Sequence, residues 1–204
     1  MSKKVQFGIK DITLWALTEN TTTTGTTMTY GDAIALPGTT KIDLSPNGSD
    51  PTPFYADDVQ YYVTAGKSSG FTGSFDNALI TEAIKTTFLN YVTDSNGNIV
   101  ELADSETKYF AMAFAKESND GDIRFLLPKC SFGRLGIKGD TTTDTVTPET
   151  ENLGITAVPT TKKFTIGGNE YQVCSIVTGE NTTTASYNAW FTTPQLPDVV
   201  NGEG

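Results

Sequence analysis

Residues 53–62 read PFYADDVQYY, so Asp57 and Asp58 stand side by side between the rings of Phe54, Tyr55, Tyr61 and Tyr62. Apolar walls around paired acids raise a carboxyl pKa, which is one way to make a general acid. The same composition suits a surface where proteins meet, because Tyr and Phe concentrate there. Glu117 and Asp122 extend the first reading, since a glycosidase needs only two carboxyls about 5–10 Å apart. With 24 Asp and Glu in the chain, however, some pair meets that spacing by chance. Nothing marks one pair out, so no catalytic residue is assigned.

The rest of the chemistry is sparse. The chain has no histidine, the side chain most used for general acid/base work and for zinc. Cys130 and Cys174 are the only cysteines, and no CxxC pair exists, which argues against a zinc site. Both lie in apolar, strand-like text and are expected to be buried free thiols. Four further stretches imitate motifs and fail. AGKSSG (65–70) has the Gly-Lys-Ser of a phosphate loop, but Tyr61 stands where the first Gly belongs. DSNGNIVELADSE (94–106) begins like a calcium loop, yet has Ile99 at its sixth position and Ser105 at its twelfth. LPGTT (36–40) has Thr40 where a sorting signal needs Gly, and GRLGIKG (133–139) matches no phosphate cradle and reads as a bent or bulged strand. No metal and no cofactor is expected.

The elements that must position these residues are mostly strands. In TKYFAMAFAKE (107–117), Phe110, Met112 and Phe114 alternate with Ala111, Ala113 and Ala115. That period of two puts large side chains on one face and small ones on the other. SNDG (118–121) is the turn into DIRFLLPKCSF, with Ile123, Phe125 and Leu127 sharing a face. KFTIGGNEYQVCSIV (163–177) is a second hairpin, its Gly167-Gly168 supplying the positive φ of a tight turn. Asn96-Gly97-Asn98 reads as a β-turn. Further strands are expected at 4–10, 12–17, 40–44, 59–64, 69–75, 153–158 and 187–192. One segment has helical spacing: Ile80, Ile84, Phe88 and Tyr91 within 77–92, with Asp76 or Asn77 as N-cap. The expected fold is mainly β, a β-sandwich or open barrel with one flanking α-helix.

Threonine is the commonest residue, with 35, and it clusters at 21–27, 141–150 and 181–184. Segments this polar bury little surface, so 18–29, 140–151, 180–186 and 195–204 are expected to be mobile loops or arms. A length of 204 residues fits one domain. The net charge is −10 and the pI near 4.4, with no basic run longer than Lys3-Lys4 or Lys162-Lys163. Tight phosphate binding needs cations to release counterions, so such a surface should repel DNA. The N-terminus lacks the apolar run of a secretory signal, and no stretch is long enough to span a bilayer. Synthesis in the cytoplasm and no membrane partner are the expectations.

ALPGTTKIDLSPNGSDPTPFYADDVQYYV (35–63) resembles the signature region of the major tail proteins of long-tailed bacteriophages, the tail-tube subunits. The similarity continues in order through 69–92, DSNGNIVE (94–101), YFAMAFAKE with GDIRFLLPKCSFGR (109–134) and TPETENLGITAVP (147–159). It spans about residues 5 to 195 and lies in the succession of segments, since each alone is weak. The resemblance implies a single tail-tube-like domain over 1–204, six copies to a ring, and rings stacked into a tube. Genomic DNA then passes through the lumen without tight binding. It also implies other tail proteins, such as the tape measure and tail terminator, as partners, and a virion location after assembly in the host cytoplasm. Phe54, Tyr55, Tyr61 and Tyr62 are then partly core and partly subunit contact, with Asp57 and Asp58 in a turn or at the seam. Thr21, Thr24, Thr143 and Glu149 become candidate contacts of the arms. The rival reading is a β-sandwich that binds carbohydrate or a cell surface as a virion module, and a capsid-decoration protein of similar fold is a second structural alternative.

Overall fold

The computed structural model describes residues 5–23, 25–104, 106–139, 141 and 149–197. In chain order the strands and helices are β1 (Gln6–Thr22), β2 (Gly25–Ala35), β3 (Thr39–Ser49), β4 (Thr52–Ala56), β5 (Val59–Thr64), β6 (Lys67–Asn77), α1 (Glu82–Phe88), β7 (Tyr91–Thr93), β8 (Ile99–Glu101), β9 (Phe110–Ser118), β10 (Ile123–Phe132), β11 (Glu151–Ala157), β12 (Phe164–Ile166), β13 (Asn169–Tyr171), β14 (Ile176–Val177) and α2 (Thr184–Ala189). The main sheet runs β2-β1-β9-β10-β11-β6-β3, with β14 paired to β10 beside β11. All these pairings are antiparallel.

The alternation along β9 organises both layers. Phe110, Met112 and Phe114 enter the principal core with Leu14, Phe75, Leu127, Leu153 and Ile155. Ala111 and Ala113 face the other way, where their small size admits Trp15, Leu126 and Trp190. The sheet curls around the principal core until β1 touches β3, giving an open barrel. Helix α1 packs at one end, with Phe88 against Phe110 and Phe132 at ring distances of 5.2 and 6.5 Å. The mainly β expectation holds, as does the β9–β10 hairpin; the hairpin expected over 163–177 forms only as β12–β13, because the chain leaves the ladder after Tyr171 and 176–177 pair with β10 instead. The Asn96-Gly97-Asn98 turn also forms, joining β7 to β8 around the Asp94 carboxylate. Hydrogen bonds from Asn98 and Asn96 hold that carboxyl below its usual pKa.

Four expectations need correction. The helix occupies only 82–88, not 77–92. Asp76 and Asn77 belong to β6, where Asn77 accepts from Thr39 Oγ1 and donates to Leu79 O, so neither caps the helix. Asn90, at φ 59°, ends it and sends Tyr91 into β7. The strand expected at 187–192 is helix α2 through Ala189 and a turn beyond it, the helix being capped by Thr183, whose hydroxyl accepts from Ser186 N. Arg124 stacks on Tyr187 and lies over Phe191, a packing that no local periodicity announces. The two strands expected at 4–10 and 12–17 are one, bent at Asp11 with φ 55° where the β1–β9 register slips. The glycine-spaced 133–139 is irregular and leaves Ile137 fully exposed.

The threonine cluster at 18–29 is a hairpin and not a loop. Thr18 pairs with Thr29 and Thr22 with Gly25 across β1–β2, so the β-branched threonines sit in a ladder that suits them. Its root is fastened to β10. Lys129 is buried, its Nζ 2.5 Å from Glu19 Oε2 and 2.7 Å from Thr161 Oγ1, and Tyr30 donates to Pro128 O. Burial first, then the Glu19 charge, pushes the Tyr30 pKa well above its usual value. Of the expected mobile segment 180–186, residues 184–186 belong to α2, while 140, 142–148 and 198–204 lie outside the described residues.

Cys130 is fully buried and free, and burial pushes its thiol pKa up. Cys174 is also free but only half-buried. Two measurements check this packing. Phe88→Ala should lower unfolding free energy in denaturant by about 3–5 kcal/mol, while Leu79→Ala, at 63% exposure, should stay within about 0.5 kcal/mol. Maleimide labelling of native protein should modify Cys174 quickly and Cys130 only on unfolding; equal rates would contradict the buried site.

Candidate assembly surface

The β3–β6 ladder does not stop at the barrel. It runs from Thr39↔Asn77 to Ser49↔Lys67, and the pairing resumes at Thr52↔Thr64 in β4–β5. The result is one long hairpin whose outer part, 45–69, is exposed throughout except for a half-buried Ala56. Close approach at the root depends on glycine. A Cβ at Gly73 would collide with the Asp43 carbonyl, and one at Gly70, whose φ is +103°, with the Ala157 carbonyl.

At the tip, Ala56 pairs with Val59 across a two-residue loop formed by Asp57 and Asp58. Their φ angles are 51° and 61°. Positive φ at both central positions is what a type I′ turn needs, and Asp is among the few side chains that tolerate it. The adjacent carboxylates therefore have a conformational role independent of their charge. The rings do not wall them in, since Phe54, Tyr55, Tyr61 and Tyr62 are 59–77% exposed. None of the four contributes to the core, which corrects the expectation that some would.

The β4–β5 register distributes apolar side chains over both faces of the arm. Phe54 lies opposite Tyr62, with Val59 on the same side. Tyr55 opposes Gln60 at a bulge, and Pro53 opposes Val63 on the other face. Val59 and Val63 were not singled out from sequence, although VQYYV already fails the apolar/polar alternation of a one-sided strand. The arm is also acidic: residues 42–66 contain Asp43, Asp50, Asp57 and Asp58 and no Lys or Arg.

The remaining candidates fall on other elements. Thr21 is near the tip of the β1–β2 hairpin, its hydroxyl 3.2 Å from that of Thr26. Glu149 is exposed, just before β11. Thr24 and Thr143 lie outside the described residues. Glu117 and Asp122, the other nominated acids, share Lys10 at 3.2 and 2.9 Å. Among the described residues no group of three or more Cys, Asp or Glu is arranged to hold a metal ion, and no helix is long and apolar enough to cross a membrane.

The turn allows charge to be separated from geometry. Asp57→Asn with Asp58→Gly keeps a sequence that favours the turn while removing two charges, so circular dichroism and thermal stability should match the parent. Asp57→Val with Asp58→Val strains the turn, and proteolysis within 50–66 should rise several-fold. No protein-family profile matches the chain, and no curated protein matches it either.

Proposed function

We propose that the chain is a structural virion protein of the tail-tube kind, assembling through identical copies into stacked, six-membered rings around a channel for DNA. The observation that carries this reading is the arm. A two-stranded ribbon alone is marginal in water, and one exposing six large apolar side chains on two faces is a liability unless something covers it. Identical copies supply that cover at no cost in specificity, and contact between unlike patches of one chain generates rings or filaments. The edges of the main sheet, β2 and β3, offer further backbone pairing to neighbours. The ordered resemblance over residues 5–195 supports the same reading.

Charge fits the proposed conduit. Six copies of a chain with net charge −10 bring roughly −60 to each ring, and a lumen carrying part of it repels phosphate. Function then lies in the assembled wall, with no catalytic group required.

Electron microscopy of the purified full chain tests the proposal. Rings or hollow tubes are expected; a strictly monomeric protein that binds glycans would replace it with the carbohydrate-binding alternative. Tubes should also fail to retain duplex DNA at about 50 mM salt, whereas tight retention that weakens steeply with salt would reverse the electrostatic part.

A further inference from the structure

The end of the barrel away from α1 is open. There Leu44 of β3, Phe71 of β6, Phe114 of β9, Phe125 of β10 and Val177 of β14 line an apolar groove of about 300 Å³. That is about twice the ~150 Å³ apolar cavity known to accept a benzene ring. Phe114 and Phe125 stack at 5.0 Å along its floor. Lys116 stands at its mouth, with Nζ 5.8 Å from the Phe125 ring centre, and makes no ion pair among the described residues.

We infer that this groove receives the β4–β5 arm of a second copy. The inference rests on the assembly reading above and names its contact. Two unlike surfaces on one chain complement each other: aromatic rings beside an acidic turn on the arm, an apolar slot beside the Lys116 cation on the barrel. The arm cannot serve its own groove. Leu44, in the groove wall, and Phe54, on the arm, lie in one continuing hairpin, ten residues apart, which places the rings roughly 30 Å farther out. Seating a ring in the slot buries apolar area on both partners and desolvates the approach of Asp57 or Asp58 to Lys116, strengthening their attraction. The contact is head-to-tail, so each seated arm leaves another arm and another groove free, and growth continues.

Two experiments on the full chain test this. Val177→Glu changes a 46% exposed edge position, so folding should survive while the slot gains a repelling carboxylate. Assembly should then need about tenfold or more protein. Unchanged assembly of that variant would overturn the groove contact while leaving the tube reading intact, whereas a parent chain that forms no rings or tubes would sink the tube reading itself. Second, a Tyr61→Cys chain and a differently tagged Val177→Cys chain, both carrying Cys174→Ser, are mixed with a flexible bis-maleimide. The mixed dimer is expected to dominate. Dominant Tyr61→Cys self-pairs, or no mixed dimer under conditions where the parent assembles, would overturn the inference.

Discussion

Residues 110–115 are six consecutive buried positions on one strand, and the molecule is arranged around the difference between their two faces. Three large side chains demand a thick apolar layer on one side, which the curled sheet and α1 supply. The alanines opposite leave room for a thin layer, filled by Trp15 and Trp190. Exchanging the two sets would overfill one layer and empty the other, and cores tolerate neither. β1 and β10 flank β9 and share its two-sided burial, so the register of the whole sheet follows from this alternation.

The outer hairpin has the opposite character. Where β3 and β6 line the barrel, Ile42, Leu44 and Phe71 pack against the core, and the glycines of β6 let neighbouring backbones approach. Beyond Ser45 the hairpin is exposed apart from a half-buried Ala56, with Ser68 near its root still touching Cys174. The ladder persists through local pairing and a favourable turn alone, while apolar side chains continue outward as though a core were still there. A strand pair patterned for burial, but exposed on both faces, is the feature from which the proposed assembly starts. In the proposed assembly the acidic turn gives the contact an electrostatic direction.

Two polar anchors show how the fold orders segments that carry few apolar residues. Lys129 and Glu19 hold the root of the threonine hairpin to β10, and Arg124 lies between α2 and the sheet against Tyr187. In each case a cation, buried at Lys129 and half-buried at Arg124, recruits a polar segment by hydrogen bonds and ring contact, which composition alone does not reveal. The assembly reading draws on both classes of element: rigid, core-determined barrel and polar, outward-reaching hairpins.

Local patterns made much of this readable. The alternation of 107–132, the glycines at 167 and 168 and the turn at 96–98 act through backbone sterics and period-two burial, which need only neighbouring residues. The acidic charge and lack of histidine were equally plain. Distant partners decided the rest. Whether Thr18–Thr29 forms a ladder depends on Lys129 and Pro128, which lie 110 and 98 positions from their partners Glu19 and Tyr30. Whether 187–192 winds into a helix depends on Arg124, and whether Phe54 and Tyr61 are buried depends on what lies opposite them. Periodicity records which side chains could share a face; only the tertiary structure determines whether that face is covered, because burial is a property of two surfaces and each strand contains one.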